Sequence, residues 1–335
     1  MKRYNEEQVK KCLLEILANT PLNASEVDAF INVLITSDKC GVYTHGLSVF
    51  KSHVDRIKRG GYNMGVSPRI EKETAAFMTV DARNTLGMYS AIFCMKQAIE
   101  HARESGIYSV LCKNCNTYGP AFYYTKMAID QHMIGITFCN SPSAMAPWGG
   151  YDKMLGTNPL AVGIPGLNKG PILFDMATSI VAKSKINEAR KNGENIPEGW
   201  AIDLEGNSTT DPVAAINGMI LPMAGAKGYG LAMVIDIIAG VLSGAAYLNH
   251  IERFYSKTND CMNVGQYFMV INPSIVMSTE FYKKVDMYIE EIHASKHKMR
   301  QKVLYPGERK NIEYKLSEVS GISLTDFAVD SINLM

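Results

Sequence analysis

A proton carrier, an anion seat and a capping carboxylate stand out in this 335-residue sequence by residue type and spacing. The proton carrier is His45, in the turn Gly41-Val42-Tyr43-Thr44-His45-Gly46. An imidazole titrates at about pH 6.5 when unperturbed, and a glycine beside it leaves room for a ligand to approach the backbone. A solvated loop histidine would look the same. If the chain is helical from there, His45, Val49 and His53 share one face, but valine cannot complete a metal site. Asn140-Ser141-Pro142-Ser143, followed by Trp148-Gly149-Gly150, brings amides and two hydroxyls into a turn that could hold a phosphate or carboxylate, or be an ordinary polar turn. In Gly225-Ala226-Lys227-Gly228-Tyr229-Gly230, Lys227 opens an apolar helix, where free amides and an ammonium suit an anion. A solvated lysine at a glycine-loosened helix start fits equally. The spacing matches neither the dinucleotide fingerprint nor a Walker A loop. Asp175, in Phe174-Asp175-Met176-Ala177-Thr178-Ser179, could cap a helix or orient a ligand.

These residues need rigid elements to hold them, and the apolar periodicity supplies candidates. Asn23 with Glu26 three residues on is a capping-box spacing, and Val27, Phe30, Ile31, Leu34 and Ile35 continue it as a helix to residue 39. A helix over residues 47–59 stops at Gly60-Gly61. From residue 75 strands and helices alternate: strands at 75–80, 107–111, 134–139, 159–164, 172–174 and 266–271, and helices at 87–104, 120–131, 180–191, 228–242, 278–295 and 308–320. Alternation of this kind predicts an α/β layer. The apolar stretch 231–247 is too short and too interrupted to span a bilayer and reads as a buried helix. With no repeat and no low-complexity linker, the parts are expected to interleave: a helical region over 1–75 carrying the histidine turn, an α/β domain over 76–300, and a helix and tail over 301–335.

Composition narrows the function classes. Thirty-four basic against 33 acidic residues, a formal charge of +1, give no electrostatic case for nucleic acid. A polar N-terminus without an apolar core argues against a secretory signal, so a cytoplasmic protein is expected. Seven cysteines, an odd number, fit reduced thiols, and Cys112-Lys113-Asn114-Cys115 has no second pair to complete a metal site. No metal and no membrane partner are expected.

Taken in order, Thr44-His45-Gly46, Asn140-Ser141-Pro142-Ser143, Gly156-Thr157-Asn158-Pro159, Asp175-Met176-Ala177-Thr178-Ser179, Thr210-Asp211-Pro212 and Lys227-Gly228-Tyr229-Gly230 resemble the malate/L-lactate dehydrogenase-like oxidoreductases. That family includes ureidoglycolate and sulfolactate dehydrogenases, diketogulonate reductase and cyclic-imine reductases. Residues 265–273 with Tyr305-Pro306-Gly307 look most like the ureidoglycolate branch. The resemblance implies a homodimer with a non-Rossmann, mixed-sheet dinucleotide fold flanked by helices, which accounts for the missing fingerprint. It also implies that NAD or NADP contacts Ser141, Asp175, Met176, Ala177, Lys227, Pro306, Gly307 and Glu308, and that His45 is the proton donor, with Thr44, Val49, His53 and Thr117 around a small-molecule substrate.

Three of those positions depart from the family pattern. An arginine suited to a substrate carboxylate is replaced by Val49, an acid/base histidine by Thr117, and a common tyrosine by His53. Valine cannot pair a carboxylate, and a threonine hydroxyl does not titrate near pH 7. The expectation is an NAD(P)-dependent dehydrogenase or reductase of a ketone/hydroxy or imine/amine substrate, with a pocket altered from the 2-oxo acid type. A catalytically lapsed cofactor-binding or regulatory homologue is the alternative.

Overall fold

The computed structural model describes residues 1–255, 260–296, 298 and 302–333. The chain runs β1 (Lys2–Tyr4), α1 (Glu6–Leu17), α2 (Ala24–Lys39), α3 (Phe50–Lys58), β2 (Arg69–Glu73), β3 (Phe77–Asp81), α4 (Gly87–Ser105), β4 (Ile107–Cys115), α5 (Ala121–Ile129), β5 (Ile134–Cys139), β6 (Leu160–Ile164) and β7 (Ile172–Met176). It continues through α6 (Lys183–Asn192), β8 (Ala201–Ile202), β9 (Ser208–Thr209), α7 (Pro212–Asn217), β10 (Met219–Ile220), α8 (Ala226–Asp236), β11 (Val264–Ile271), α9 (Ser274–Met277), α10 (Glu280–Ala294), α11 (Glu308–Ser320), β12 (Ile322–Leu324) and α12 (Asp326–Ser331). The first turns after α2 are 3-10, at Tyr43–His45 and Leu47–Val49, and a π-helical turn, Ile237–Leu242, prolongs α8.

Seven strands form one mixed sheet in the order β2-β3-β4-β11-β5-β6-β7. β3 and β4 are parallel, whereas β11 enters from far along the chain and pairs antiparallel with both β4 and β5. This insertion is what interleaves the chain: the centre of the sheet is incomplete until β11 is in place. Met78, Val80, Val110, Cys112, Phe268 and Val270 alternate onto a buried face against Ala91, Cys94, Met95 and Ala98 of α4.

The helical region has its own core. Val9 and Leu13 of α1, Phe30, Val33 and Leu34 of α2, and Phe50, Val54 and Ile57 of α3 meet Ile322, Leu324, Ala328 and Ile332 from the end of the chain. β1 pairs antiparallel with β12 across that junction. α2 starts as its capping box predicts: the Asn23 side chain accepts the Glu26 amide at 2.9 Å, and the Glu26 carboxylate accepts the Asn23 amide at 2.8 Å.

The stretch 231–247 is not the buried helix its composition suggests. Ala232, Ile235 and Ala239 are buried, but Val234, Ile237, Val241 and Leu242 are 48%, 49%, 52% and 64% exposed. The helix packs through one face only, and its apolar residues run around to the other side. Among the described residues, no helix is long and apolar enough to cross a membrane, and no group of histidine, cysteine or acidic side chains is placed to hold a metal.

Candidate active site

His45 ends the 3-10 turn that follows α2, with its ring open to solvent and Nδ1 3.0 Å from Thr44 Oγ1. That contact occupies Nδ1 and leaves Nε2 as the nitrogen free to exchange a proton. Crowding by protein around the open ring pushes the imidazole pKa below its ordinary value, and the nearby Asp175 carboxylate opposes the shift.

The glycine after His45 is required by a residue that motif reasoning passed over. Asp38, in the last turn of α2 and 1% exposed, accepts the Leu47 amide on Oδ2 at 2.7 Å. A Cβ on Gly46 would stand 2.1 Å from Asp38 Oδ1. Gly46 thus makes room for a carboxylate behind the turn rather than for a ligand in front of it. Burial raises the Asp38 pKa to about 7, with the Leu47 amide opposing. The sequence held a signal: Asp38 lies seven residues after Ile31 and four after Leu34, a carboxylate on an apolar stripe.

Asp175 lies near the end of β7, paired with Ala161 of β6. Its Oδ2 accepts the Phe122 amide at 3.2 Å, so it satisfies a free donor in the first turn of α5. Burial raises its pKa, opposed by Lys310, by the Phe122 amide and by His45. Met176 and Ala177 follow it, half-buried. Behind them the segment is tied down: the Thr178 amide and hydroxyl both donate to Thr157 O at 2.9 Å, and the Met223 amide donates to Thr178 O at 2.9 Å.

That wiring runs on to the two anion candidates. The Ser141 amide donates to Asn158 Oδ1 at 3.0 Å, and Asn158 Nδ2 donates to Ala232 O of α8 at 2.9 Å. Lys227 is the second residue of α8, exposed and without an ion-pair partner among the described residues. Gly225 supplies no side-chain cap to the helix start. An uncapped helix N-terminus with a free ammonium is a fit for a phosphate-bearing cofactor. Pro306 and Gly307 lie beside β7: Leu173 donates its amide to Pro306 O at 3.0 Å, and a Cβ on Gly307 would stand 2.6 Å from Leu173. The Glu308 side chain is otherwise engaged. Its carboxylate meets His293 Nε2 at 2.8 Å and Lys302 Nζ at 3.4 Å and accepts the Tyr305 amide. Burial works to raise its pKa, but these contacts outweigh it and hold the group below the ordinary carboxylate range.

The altered positions differ in placement. His53 is 3% exposed, with Nδ1 2.9 Å from the Tyr62 hydroxyl and its ring 5.4 and 4.8 Å from those of Phe30 and Phe254. Burial, aided by the Arg56 charge, pushes its pKa to about 3, so it is a neutral core histidine rather than part of a pocket wall. Its place on the buried stripe with Phe50, Val54 and Ile57 accounts for this. Val49 is half-buried against the helical core. Thr117 is half-buried in the loop before α5, its carbonyl packed where a Cβ on Gly87 would stand 2.2 Å away.

Comparison with known proteins bears on this geometry. A sequence profile described as malate/L-lactate dehydrogenase matches residues 4–333. The chain is 37% identical to the L-sulfolactate dehydrogenase of Methanothermobacter thermautotrophicus over 333 residues, covering 98% of this chain and 95% of that protein. It is 31% identical to the ureidoglycolate dehydrogenase (NAD(+)) of Escherichia coli strain K12, covering 97% and 93%. Among solved structures, the sulfolactate dehydrogenase from Methanocaldococcus jannaschii superposes with a TM-score of 0.91 at 33% identity, covering 99% of this chain and 95% of that one.

Proposed function

The chain belongs to the malate/L-lactate dehydrogenase family and is a dehydrogenase of that family, and from that premise we propose that it interconverts a small hydroxy acid, or the matching amine, and its oxidised form with His45 as proton carrier. The observation that carries this reading is that His45 stands near enough to the buried Asp175 carboxylate, at the end of β7, for each charge to act on the other, beside the tied-down segment that leads to Ser141 and Lys227. The relatives named for sulfolactate and ureidoglycolate support a hydroxy acid substrate.

A bound nicotinamide, as NAD or NADP, supplies hydride transfer at the substrate carbon. Lys227 and the open start of α8 would offer an ammonium and a helix N-terminus to its phosphates, and Ser141, the Asp175-Met176-Ala177 strand end and the Pro306-Gly307 turn would help hold it. His45 takes the hydroxyl proton on Nε2 as the alcohol is oxidised and returns it in the reverse direction. Its lowered pKa keeps the imidazole neutral at pH 7, the state that accepts a proton. Asp175 stabilises the imidazolium that results. Thr44 on Nδ1 holds the ring's orientation.

Two chains form the functional unit in this reading. The exposed apolar face of α8 and its π turn, Val234, Ile237, Val241 and Leu242, supports a second copy as its cover. Val49 and Thr117 alter the pocket, so the substrate differs from a plain 2-oxo acid such as pyruvate.

The test is turnover of a panel of 2-hydroxy acids, ketones and cyclic imines with both nucleotides. Activity that falls ~10²–10⁴-fold in His45→Ala, the usual worth of a general acid or base, upholds the assignment. Nucleotide binding with no turnover of any panel member would instead mark a lapsed enzyme.

A further inference from the structure

Position 49 offers no charge to a substrate acid, yet a cation on α11 stands near Asp175. Lys310, one turn into α11, is half-buried, and its ammonium lies 5.5 Å from the centre of the Phe122 ring. Phe122 is the residue whose amide binds Asp175. Among the described residues Lys310 makes no ion pair. Its backbone is fixed from both sides: Asn311 Nδ2 donates to Pro171 O at 2.7 Å just before β7, and a Cβ on Gly41 would stand 3.4 Å from Glu313 Cγ. α11 therefore bridges the start of β7 to the turn that carries His45. A half-buried ammonium resting on an aromatic face, with the buried Asp175 carboxylate near enough to feel its charge but not in an ion pair with it, is partly desolvated and gains from an incoming anion.

We propose that Lys310 receives an oxyanion of the substrate in the His45–Asp175 cleft, from the α11 wall, in place of a basic side chain at position 49. This rests on the dehydrogenase reading above. A lysine is a point charge without the planar fork of arginine, so it attracts an oxyanion without imposing a bidentate geometry. The substrate acid is then drawn toward Phe122 and α11 instead of toward the 3-10 turn at Leu47–Val49. Such a pocket tolerates acids whose charge is set differently from that of pyruvate.

The experiment uses the full chain, with Lys310→Gln and Lys310→Arg. Calorimetry measures binding of oxalate, malonate and succinate as unreactive oxyanion probes, and of NADH and NADPH separately. The expected result is that the best dicarboxylate binds at least 10-fold more weakly to Lys310→Gln, that Lys310→Arg restores most of the loss, and that nucleotide affinity is unchanged. In turnover, Lys310→Gln should raise KM for an acid substrate by a larger factor than it lowers kcat/KM for an uncharged ketone, and Lys310→Arg should restore the acid's KM, a split that a merely structural role would not produce. Dicarboxylate binding that is absent from the wild type or indifferent to Lys310 overturns the proposal, as does a loss confined to nucleotide affinity, which would make Lys310 a cofactor-phosphate contact. Absence of turnover in the wild type, by contrast, counts against the dehydrogenase reading and leaves the binding result to decide the role of Lys310.

Discussion

Replacing Asp38 with asparagine should make the protein more stable at alkaline pH relative to wild type, and less so as the pH falls. The carboxyl is buried behind the His45 turn, with a pKa raised from 3.8 to about 7. A carboxyl whose folded pKa exceeds its unfolded one binds its proton more tightly when folded, so stability is lost as pH rises between those two values. The unfolded chain ionises freely near pH 4, whereas the folded chain must carry an unwelcome charge above pH 7. At 1.36 kcal/mol per pKa unit the full effect is about 4 kcal/mol, of which about 2.7 kcal/mol falls between pH 5 and pH 8. Asparagine keeps an acceptor for the Leu47 amide but has no proton to lose. Urea unfolding of both proteins at pH 5, 6, 7 and 8, at one fixed protomer concentration, gives the difference in unfolding free energy at each pH. That difference should swing toward the variant by about 2–3 kcal/mol across the series. A difference that stays constant within 0.5 kcal/mol (about the usual additivity error) would refute the reasoning, because Asp38 would then ionise alike in both states.

Three further outcomes are expected. Lys227→Ala should weaken NADH or NADPH binding by roughly 1–3 kcal/mol, the range for a charged hydrogen bond, as read by nucleotide fluorescence or calorimetry. In the oxidative direction kcat/KM should rise with pH through a midpoint below 6.5, the ordinary histidine value, and then stay flat, because His45 must be neutral to accept the proton and its pKa is lowered. The double variant Val49→Arg, Thr117→His should raise the reduction of pyruvate and lower that of the native substrate, measured by nicotinamide absorbance, because the arginine restores a bidentate carboxylate pair.

Much of the framework was legible in local signals. The capping box at Asn23 and Glu26, the helix after Pro306-Gly307 and the strand that begins at Ile134 each appear where short-range chemistry puts them. Pairings that depend on distant partners were not visible. β1 and β12 are three residues each, and neither has an alternating run long enough to announce a strand. The site follows the same division. His45, Asp175 and Lys227 stand in glycine-rich or strand-end segments that suggest function, whereas Lys310 looks like any other charge near a helix start. His53 misleads for a related reason: the family pattern assigns its position to the pocket, but its own stripe of apolar neighbours turns it into the core. Composition likewise marked residues 231–247 as interior, because an apolar run does not say which of its faces packs inward and which, like Val241 and Leu242, lies exposed.

The closing of the chain on its beginning has a consequence for when this protein can first work. The Ser331 hydroxyl donates to the carbonyl of Leu47, 284 residues earlier and two residues beyond His45, and α12 packs on the same 3-10 turn. β12 must also reach β1 before the helical core is sealed. On the ribosome, then, the histidine emerges early and waits, without its rear support, until α12 has been made and has left the exit tunnel. At the usual ~5–20 residues per second that interval is about 15–60 s, during which the His45 turn stands without the hydrogen bond from Ser331 to Leu47.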